Sequence, residues 1–227
     1  MTELTILMPC LNEAASIGFC IDEARAFLES RGIDGEILIA DNGSTDGSRE
    51  IAIAHGARIA NISEPGYGSA IIGGISAAQG KYIIMGDSDA SYDFSNLDSF
   101  VEKLRQGYHL VVGNRYANIE KGAMPFAHRY IGVPLLSMLG RLKYHVEIKD
   151  FHCGLRGFDK QAAEMLKLSC PGMEFSTEII GKFAASGAKI TQLPTVLRRD
   201  RRNGKPHLRT IRDGWRHLCF ILFAKTN

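Results

Sequence analysis

The sequence predicts an α/β protein with a mostly parallel central sheet, helices on both faces, and a basic amphipathic helix at its C-terminal end. Three observations carry this. Short runs rich in Ile, Leu and Val alternate with segments of helical spacing; the runs are apolar at nearly every position; and each ends at Pro, Gly, Asp or Ser. Strands that are apolar throughout are buried on both faces, as parallel strands are beneath crossover helices. At 227 residues the chain suffices for one domain with a sizeable core, and a single domain over 1–227 is expected.

The elements follow in order. Thr5–Pro9 reads as the first strand. Ile17, Cys20, Ile21, Ala24, Phe27 and Leu28 then keep the i, i+3, i+4, i+7 spacing of a helix, with Gly32 as its left-handed stop. Glu36–Asp41 is the second strand, Gly47–His55 a helix ending at Gly56, and Arg58–Ile62 the third strand. Ser69–Ala78 is a helix ending at Gly80, and Gly73 and Gly74 let it pack close to the sheet. Lys81–Gly86 is the fourth strand. Ser95, three residues before Asp98, has the spacing of a helix-starting cap, and His109–Gly113 is a further strand.

Residues 122–142 are apolar with basic punctuation. Pro125, Gly132, Pro134 and Gly140 keep them from forming one regular spanning helix, which leaves a core helix pair or helices lying on a membrane surface. Near the end, Ile211, Trp215, Leu218 and Leu222 make one helical face and Arg209, Arg212 and Arg216 another. The last apolar run, Leu218–Ala224, is too short to cross a bilayer.

Composition narrows the class. Hydrophobic and charged fractions of 45% and 23% are those of a globular protein. Five cysteines without a C-x-x-C pair read as reduced, mostly buried thiols, and no signal peptide is legible, so a cytoplasmic location is expected. Net charge is only +2, but residues 196–227 hold nine of the 27 Lys and Arg and two acids, Asp200 and Asp213. That stretch is +7 and the rest −5, which points to an anionic partner. Aromatic residues are not interleaved through the basic cluster, so nucleic acid is excluded as the partner.

Ligands of open parallel sheets bind beyond the carboxyl ends of the strands. Those ends carry Pro9-Cys10-Leu11-Asn12-Glu13, Asp41-Asn42-Gly43-Ser44-Thr45-Asp46 and Asp87-Ser88-Asp89. Three acid-bearing loops converging on one crevice suit a nucleotide with a divalent metal, because two carboxylates one residue apart can share a cation whose other ligands are phosphates. Gly66-Tyr67-Gly68 with Gly73-Gly74 lacks the third glycine of a dinucleotide fingerprint and follows the wrong strand, so that reading is set aside.

These loops, with Gly113-Asn114-Arg115-Tyr116 and Asp150-Phe151-His152-Cys153-Gly154-Leu155-Arg156-Gly157, resemble family 2 glycosyltransferases of the GT-A (Rossmann-like) fold. The polyprenol-phosphate mannosyl- and glucosyltransferases are the nearest in pattern. The resemblance covers nearly the whole chain. It implies a nucleotide-binding half over about 1–115, an acceptor half over about 116–200, and a basic loop and tail over about 196–227. It further implies a nucleoside-diphosphate sugar, UDP- or GDP-linked, held by Pro9, Asn12, Glu13, Asp41, Ser44, Gly68 and Asp87, with Mg²⁺ or Mn²⁺ on Asp87 and Asp89. Ser91 stands where lipid-phosphate relatives often carry Gln. Asp150 and Arg156 are implied at the reacting centre, Asp150 as general base should the acceptor be a hydroxyl; alternatively the two form a structural ion pair. For Asp41 the ligand contact is preferred over an Asx turn leading to Asp46.

Arg115, Arg129, Arg202 and Lys205 are implied to bind an acceptor phosphate, since guanidinium pairs phosphate bidentately. Residues 198–205 match the family's basic loop that closes over phosphates. The implied reaction is inverting hexose transfer to polyprenyl phosphate, by an enzyme peripheral to the cytoplasmic face of an anionic membrane. A glycan hydroxyl as acceptor, or a non-catalytic sugar-nucleotide-binding module, are the alternatives.

Overall fold

The computed structural model describes residues 2–201 and 210–224. Among them a seven-stranded sheet runs in the order β3-β2-β1-β4-β6-β5-β7. Strands β1 (Leu4–Cys10), β2 (Gly35–Asp41), β3 (Arg58–Asn61) and β4 (Tyr82–Met85) pair in parallel. β5 (Leu110–Ile119) and β7 (Ile190–Leu197) are parallel to each other, and β6 (Arg156–Asp159) lies antiparallel between β4 and β5. The first four strands match the apolar runs of the sequence to within a residue or two. β6 and β7 have no counterpart among those runs: β7 interrupts Ile190, Leu193, Val196 and Leu197 with polar residues and Pro194, and β6 carries Arg156 and Gly157 in a segment with the composition of a loop.

Right-handed crossovers explain where the helices lie. The chain moves outward through β1, β2 and β3, placing α1 (Ile17–Arg31) and α2 (Ser48–Ala54) together on one face, where they pack on each other. It then returns across β2 and β1 to β4, which puts α3 (Tyr67–Ala77) on the other face against β1, β2 and β3. Gly74 makes that approach possible, since a β-carbon there would sit 2.5 Å from the Leu7 side chain. Gly32 closes α1 in the left-handed conformation as expected. Ser95 does not cap α4 (Asp98–Arg105): its amide is taken by Asp93, and Leu97 occupies the cap position.

The core is the apolar face of each layer. Ile6, Leu7, Leu38, Ile39, Ile83 and Ile84 are wholly buried, each such side chain contributing roughly 1.5–3 kcal/mol. This rigid floor holds the polar strand-end loops. In the second half come α5 (Val133–Tyr144), entered through a π-helical turn at His128–Gly132, then α6 (Lys160–Met165), α7 (Phe175–Ala185) and α8 (Thr210–Phe223).

Candidate active site

β1 and β4 are sheet neighbours whose chain connections leave in opposite directions, and beyond their carboxyl ends a crevice of about 550 Å³ opens. That is the switch point where open α/β sheets bind ligands, and the size suits a small molecule. Pro9, Cys10, Leu11 and Glu13 line it from the first loop, Asn42 from the second, and Asp87, Ser88 and Asp89 from the fourth strand end. Tyr67, Arg115, His152, Gly154 and Ser176 join them, as do Asp200, Arg212, Asp213 and Arg216.

Short polar side chains stitch the loops together. Ser88 Oγ donates to the Pro9 carbonyl at 2.7 Å, and Ser16 Oγ to the Ser88 carbonyl at 2.8 Å. Asn12, in the left-handed region at φ 59°, accepts from the Thr45 amide at 2.8 Å while its own amide donates to Ser44 Oγ at 3.0 Å. Asn12 and Ser44 are therefore a clasp between loops and do not line the crevice. Asp41 is likewise buried, accepting from the amides of Gly43 and Ser44 in the manner of an Asx turn. Gly68 also positions rather than lines: a β-carbon there would lie 2.0 Å from the Cys170 carbonyl, against which the start of α3 packs.

Asp87 and Asp89 both face the crevice. The Tyr67 hydroxyl donates to Asp87 Oδ1 at 3.0 Å, and the Ser91 amide to Asp89 Oδ1 at 2.9 Å. Burial, then the charge of Asp87, pushes the Tyr67 phenol well above its ordinary pKa, so it remains a donor. Gly154 lies so close that a β-carbon would come within 2.5 Å of Asp87 Oδ2. Among the described residues no group of three or more His, Cys, Asp and Glu side chains could hold a metal. Two hard carboxylates open to a ligand-sized space fit Mg²⁺ or Mn²⁺ sharing its remaining positions with phosphate and water oxygens.

The Asp150–Gly157 motif departs from expectation. Asp150 is fully buried and pairs with Arg115, not Arg156: Nε donates to Oδ2 at 2.7 Å and Nη2 to Oδ1 at 2.8 Å. The amides of Arg115 and His152 add two longer bonds. Burial alone would raise the Asp150 pKa, but the Arg115 guanidinium outweighs it and holds the carboxyl below its ordinary value. Arg115 lines the crevice from the stretch of β5 where its register on β7 slips, between Asn114 and Asn118.

Arg156 does not touch the crevice. It is the largest wholly buried side chain, donating to the carbonyls of Cys153, Ser176 and Phe151 at 2.7–2.8 Å. This corrects both roles expected for it. It braces the 151–156 turn against α7, a positioning task.

Arg129 sits on the π-helical turn, its guanidinium 5.3 Å from the Tyr130 ring and away from the crevice lining. Arg202 and Lys205 fall outside the described residues. The basic segment leading to them runs beside the metal-side loop: the Arg198 amide donates to the Ser91 carbonyl and the Arg201 amide to the Asp89 carbonyl, both at 2.9 Å. On α8, Arg212 and Arg216 of the basic helical face line the crevice, and Arg216 pairs with Glu174. Helical periodicity separates two faces but does not say which one turns inward.

Residues 5–166 match the family model for glycosyl transferase family 2. The chain belongs to that family. It is 37% identical over 221 residues to the low-salt glycan biosynthesis hexosyltransferase Agl6 of Haloferax volcanii, covering 96% of this chain and 53% of that one. The family 2 chain thus spans about half the length of Agl6. A dolichyl-phosphate hexose transferase of the same organism is 26% identical over 198 residues, with coverage of 86% and 83%. Among solved structures, the glucosyl-3-phosphoglycerate synthase of Mycobacterium tuberculosis, in complex with Mn²⁺, UDP-glucose and phosphoglyceric acid, superposes with a TM-score of 0.72 at 23% identity. It covers 90% of this chain and 73% of that one, a likeness of fold. The fold is GT-A, as the sheet order and helix placement describe.

Proposed function

We propose that this family 2 chain moves a hexose from a UDP- or GDP-linked donor to a polyprenyl phosphate at the cytoplasmic face of a membrane. The observation that carries this is one crevice holding two metal-suited carboxylates, Asp87 and Asp89, and three guanidinium groups, Arg115, Arg212 and Arg216. Anions on two substrates account for both sets. The names of the two Haloferax relatives, a glycan hexosyltransferase and a dolichyl-phosphate hexose transferase, support the same chemistry.

A neighbouring surface supports a lipid acceptor. Ile131, Leu135, Met138 and Leu142 recur at i, i+4, i+7 and i+11 and are exposed, as are Trp215, Leu222 and Phe223 on α8, which packs against α5. Exposed apolar ladders beside basic groups suit the interface of an anionic bilayer. No helix among the described residues is long and apolar enough to cross a membrane.

Transfer would be one in-line displacement. An acceptor oxygen attacks the anomeric carbon, the bond from that carbon to the diphosphate breaks, its electron pair leaves on the diphosphate, and configuration inverts. Asp87 and Asp89 would hold the divalent ion, which when bound neutralises diphosphate charge. Arg115, Arg212 and Arg216 orient phosphate. Asp150, buried and committed to Arg115, does not line the crevice. This favours an acceptor that is already ionised and needs no base. A hydroxyl acceptor is the second reading, with Asp200 and Asp213, which do line the crevice, as the groups able to take its proton.

The test is transfer from UDP-glucose and GDP-mannose, with Mn²⁺ or Mg²⁺, to polyprenyl phosphate in anionic vesicles. Formation of sugar-linked lipid is expected with the phosphate and not with the dephosphorylated polyprenol. Equal transfer to both would refute the phosphate acceptor.

A further inference from the structure

We infer that His152 reads a hydroxyl of the hexose being transferred, making it a specificity-determining residue of the crevice. The inference rests on the donor reading above. His152 lines the crevice together with Arg115, Gly154 and Ser176. Both of its ring nitrogens are shielded from solvent, and neither hydrogen-bonds to a protein group among the described residues.

Its neighbours differ in this respect. Asp150 accepts from Arg115 and two amides, Arg156 donates to three carbonyls, the Gly154 amide donates to Tyr92, and His217 bonds Thr177 at 2.9 Å. A shielded polar group left unmatched is costly, so an unmatched imidazole on a ligand-sized space calls for a partner from the ligand.

The ring is also held firmly. The His152 amide donates to Asp150, and two residues on Gly154 touches the Asp87 carboxylate, so the turn spans from the Arg115 pair to the metal side. The far side of the ring meets His217 of α8 edge-on, with centroids 4.4 Å apart. A group fixed from two elements is suited to reading position.

Its chemistry favours a hydroxyl over a phosphate. Burial first, then His217, Arg115 and Arg156, hold His152 well below the ordinary pKa of 6.5, so the ring is neutral at pH 7. A neutral imidazole offers one N–H and one bare nitrogen. A hydroxyl both accepts and donates and can engage either nitrogen. A phosphate only accepts, and would set its oxygens against the bare nitrogen.

The experiment compares UDP with UDP-glucose, and GDP with GDP-mannose, by titration calorimetry in Mn²⁺ on wild type, His152→Phe and His152→Asn. Phe keeps the ring without its nitrogens, and Asn restores a donor and an acceptor. For His152→Phe the affinity for the bare nucleotide should be unchanged, while the extra affinity gained from the sugar falls about tenfold. Asn should recover part of it. On wild type, deoxy-sugar donors should show one hydroxyl whose removal costs as much as the Phe substitution, and nothing further in the Phe variant. An unchanged sugar increment, or equal losses for nucleotide and nucleotide sugar, would overturn the assignment. Wild type that binds neither UDP nor GDP would overturn the donor reading and this one with it.

Discussion

Replacing Arg115 by Met should destabilise the protein far more than replacing Asp150 by Asn, although both break the same ion pair. Asp150 has no solvent exposure, whereas 11% of the Arg115 side chain is accessible from the crevice. Without the guanidinium, a buried carboxylate keeps only two backbone amides, both at 3.2 Å. Stranding one member of a buried pair costs about 3–5 kcal/mol. For a chain of this size that is roughly 6–20 °C in melting temperature, at about 2–4 °C per kcal/mol. The Asp150→Asn change preserves shape and one acceptor, and the partly accessible guanidinium can turn toward water, so about 1–2 kcal/mol is expected. The double variant should lose less than the sum, with a coupling of at least about 1 kcal/mol.

Urea and thermal unfolding of the four proteins measure this. The pH dependence carries a sign: a carboxyl held below its ordinary value contributes stability above the carboxylate range and loses it as pH falls through the folded value. Between neutrality and about pH 5 this contribution should therefore be flat. A loss below about 1 kcal/mol for Arg115→Met, or strict additivity, would refute the buried-pair reasoning. If Asp150→Asn instead removed turnover with stability intact, Asp150 would be a base in the reaction and not the anchor of Arg115.

Three further outcomes are expected. Asp89→Ala should abolish metal-dependent turnover and metal-dependent stabilisation by nucleotide with the fold retained, and Gly154→Ala should weaken the same stabilisation by displacing Asp87; full activity in the Asp89 variant would sink the metal assignment. Leu135→Gln with Leu142→Gln should shift stability by only about 0.5 kcal/mol, since both side chains are exposed, yet reduce sedimentation with anionic vesicles; unchanged vesicle binding would remove the membrane role from this face. His217 is buried and its pKa is pushed down to about 4 by burial, then by Arg156 and Arg216. The unfolded chain binds the proton first, so stability should be complete above about pH 6.5 and fall by roughly 3 kcal/mol toward pH 4. His217→Asn should flatten that slope in thermal melts.

The strand-end loops were legible because their information is local. Apolar runs end in polar residues at Asp41 and Asp87, and the parallel topology itself sends those ends to one edge of the sheet. What was not legible depends on contacts between segments distant in sequence. Asp150 could have met Arg115 or Arg156, and only the folded chain, which brings Arg115 of β5 to within 2.7 Å of it, decides the pairing. The same holds for Asn12, Asp41 and Ser44, whose side chains suit ribose hydroxyls and loop amides equally well. In the fold the amides take them. His152 gave no sequence signal, since a lone imidazole in a Cys-Gly turn is informative only once its unmatched nitrogens and its place in the crevice lining are both known.

The long-range bonds also bear on how the proposed donor and acceptor would share one site. The amides of Arg198 and Arg201 donate to the carbonyls of Ser91 and Asp89, and the Arg198 guanidinium pairs with Glu23 and Asp93. The chain entering the basic segment is therefore fastened to the loop that carries Asp89. Arg216 meanwhile ties α8 to Glu174, beside the turn against which Gly66 and Gly68 of the α3 entry pack. Arg216, which reaches the crevice from the C-terminal third, is thus anchored beside an element that also shapes the carboxylate side. Under the proposed transfer, a phosphate held by Arg216 would act on a side chain tied to the turn beside the α3 entry, which carries Tyr67, the hydrogen-bond partner of Asp87.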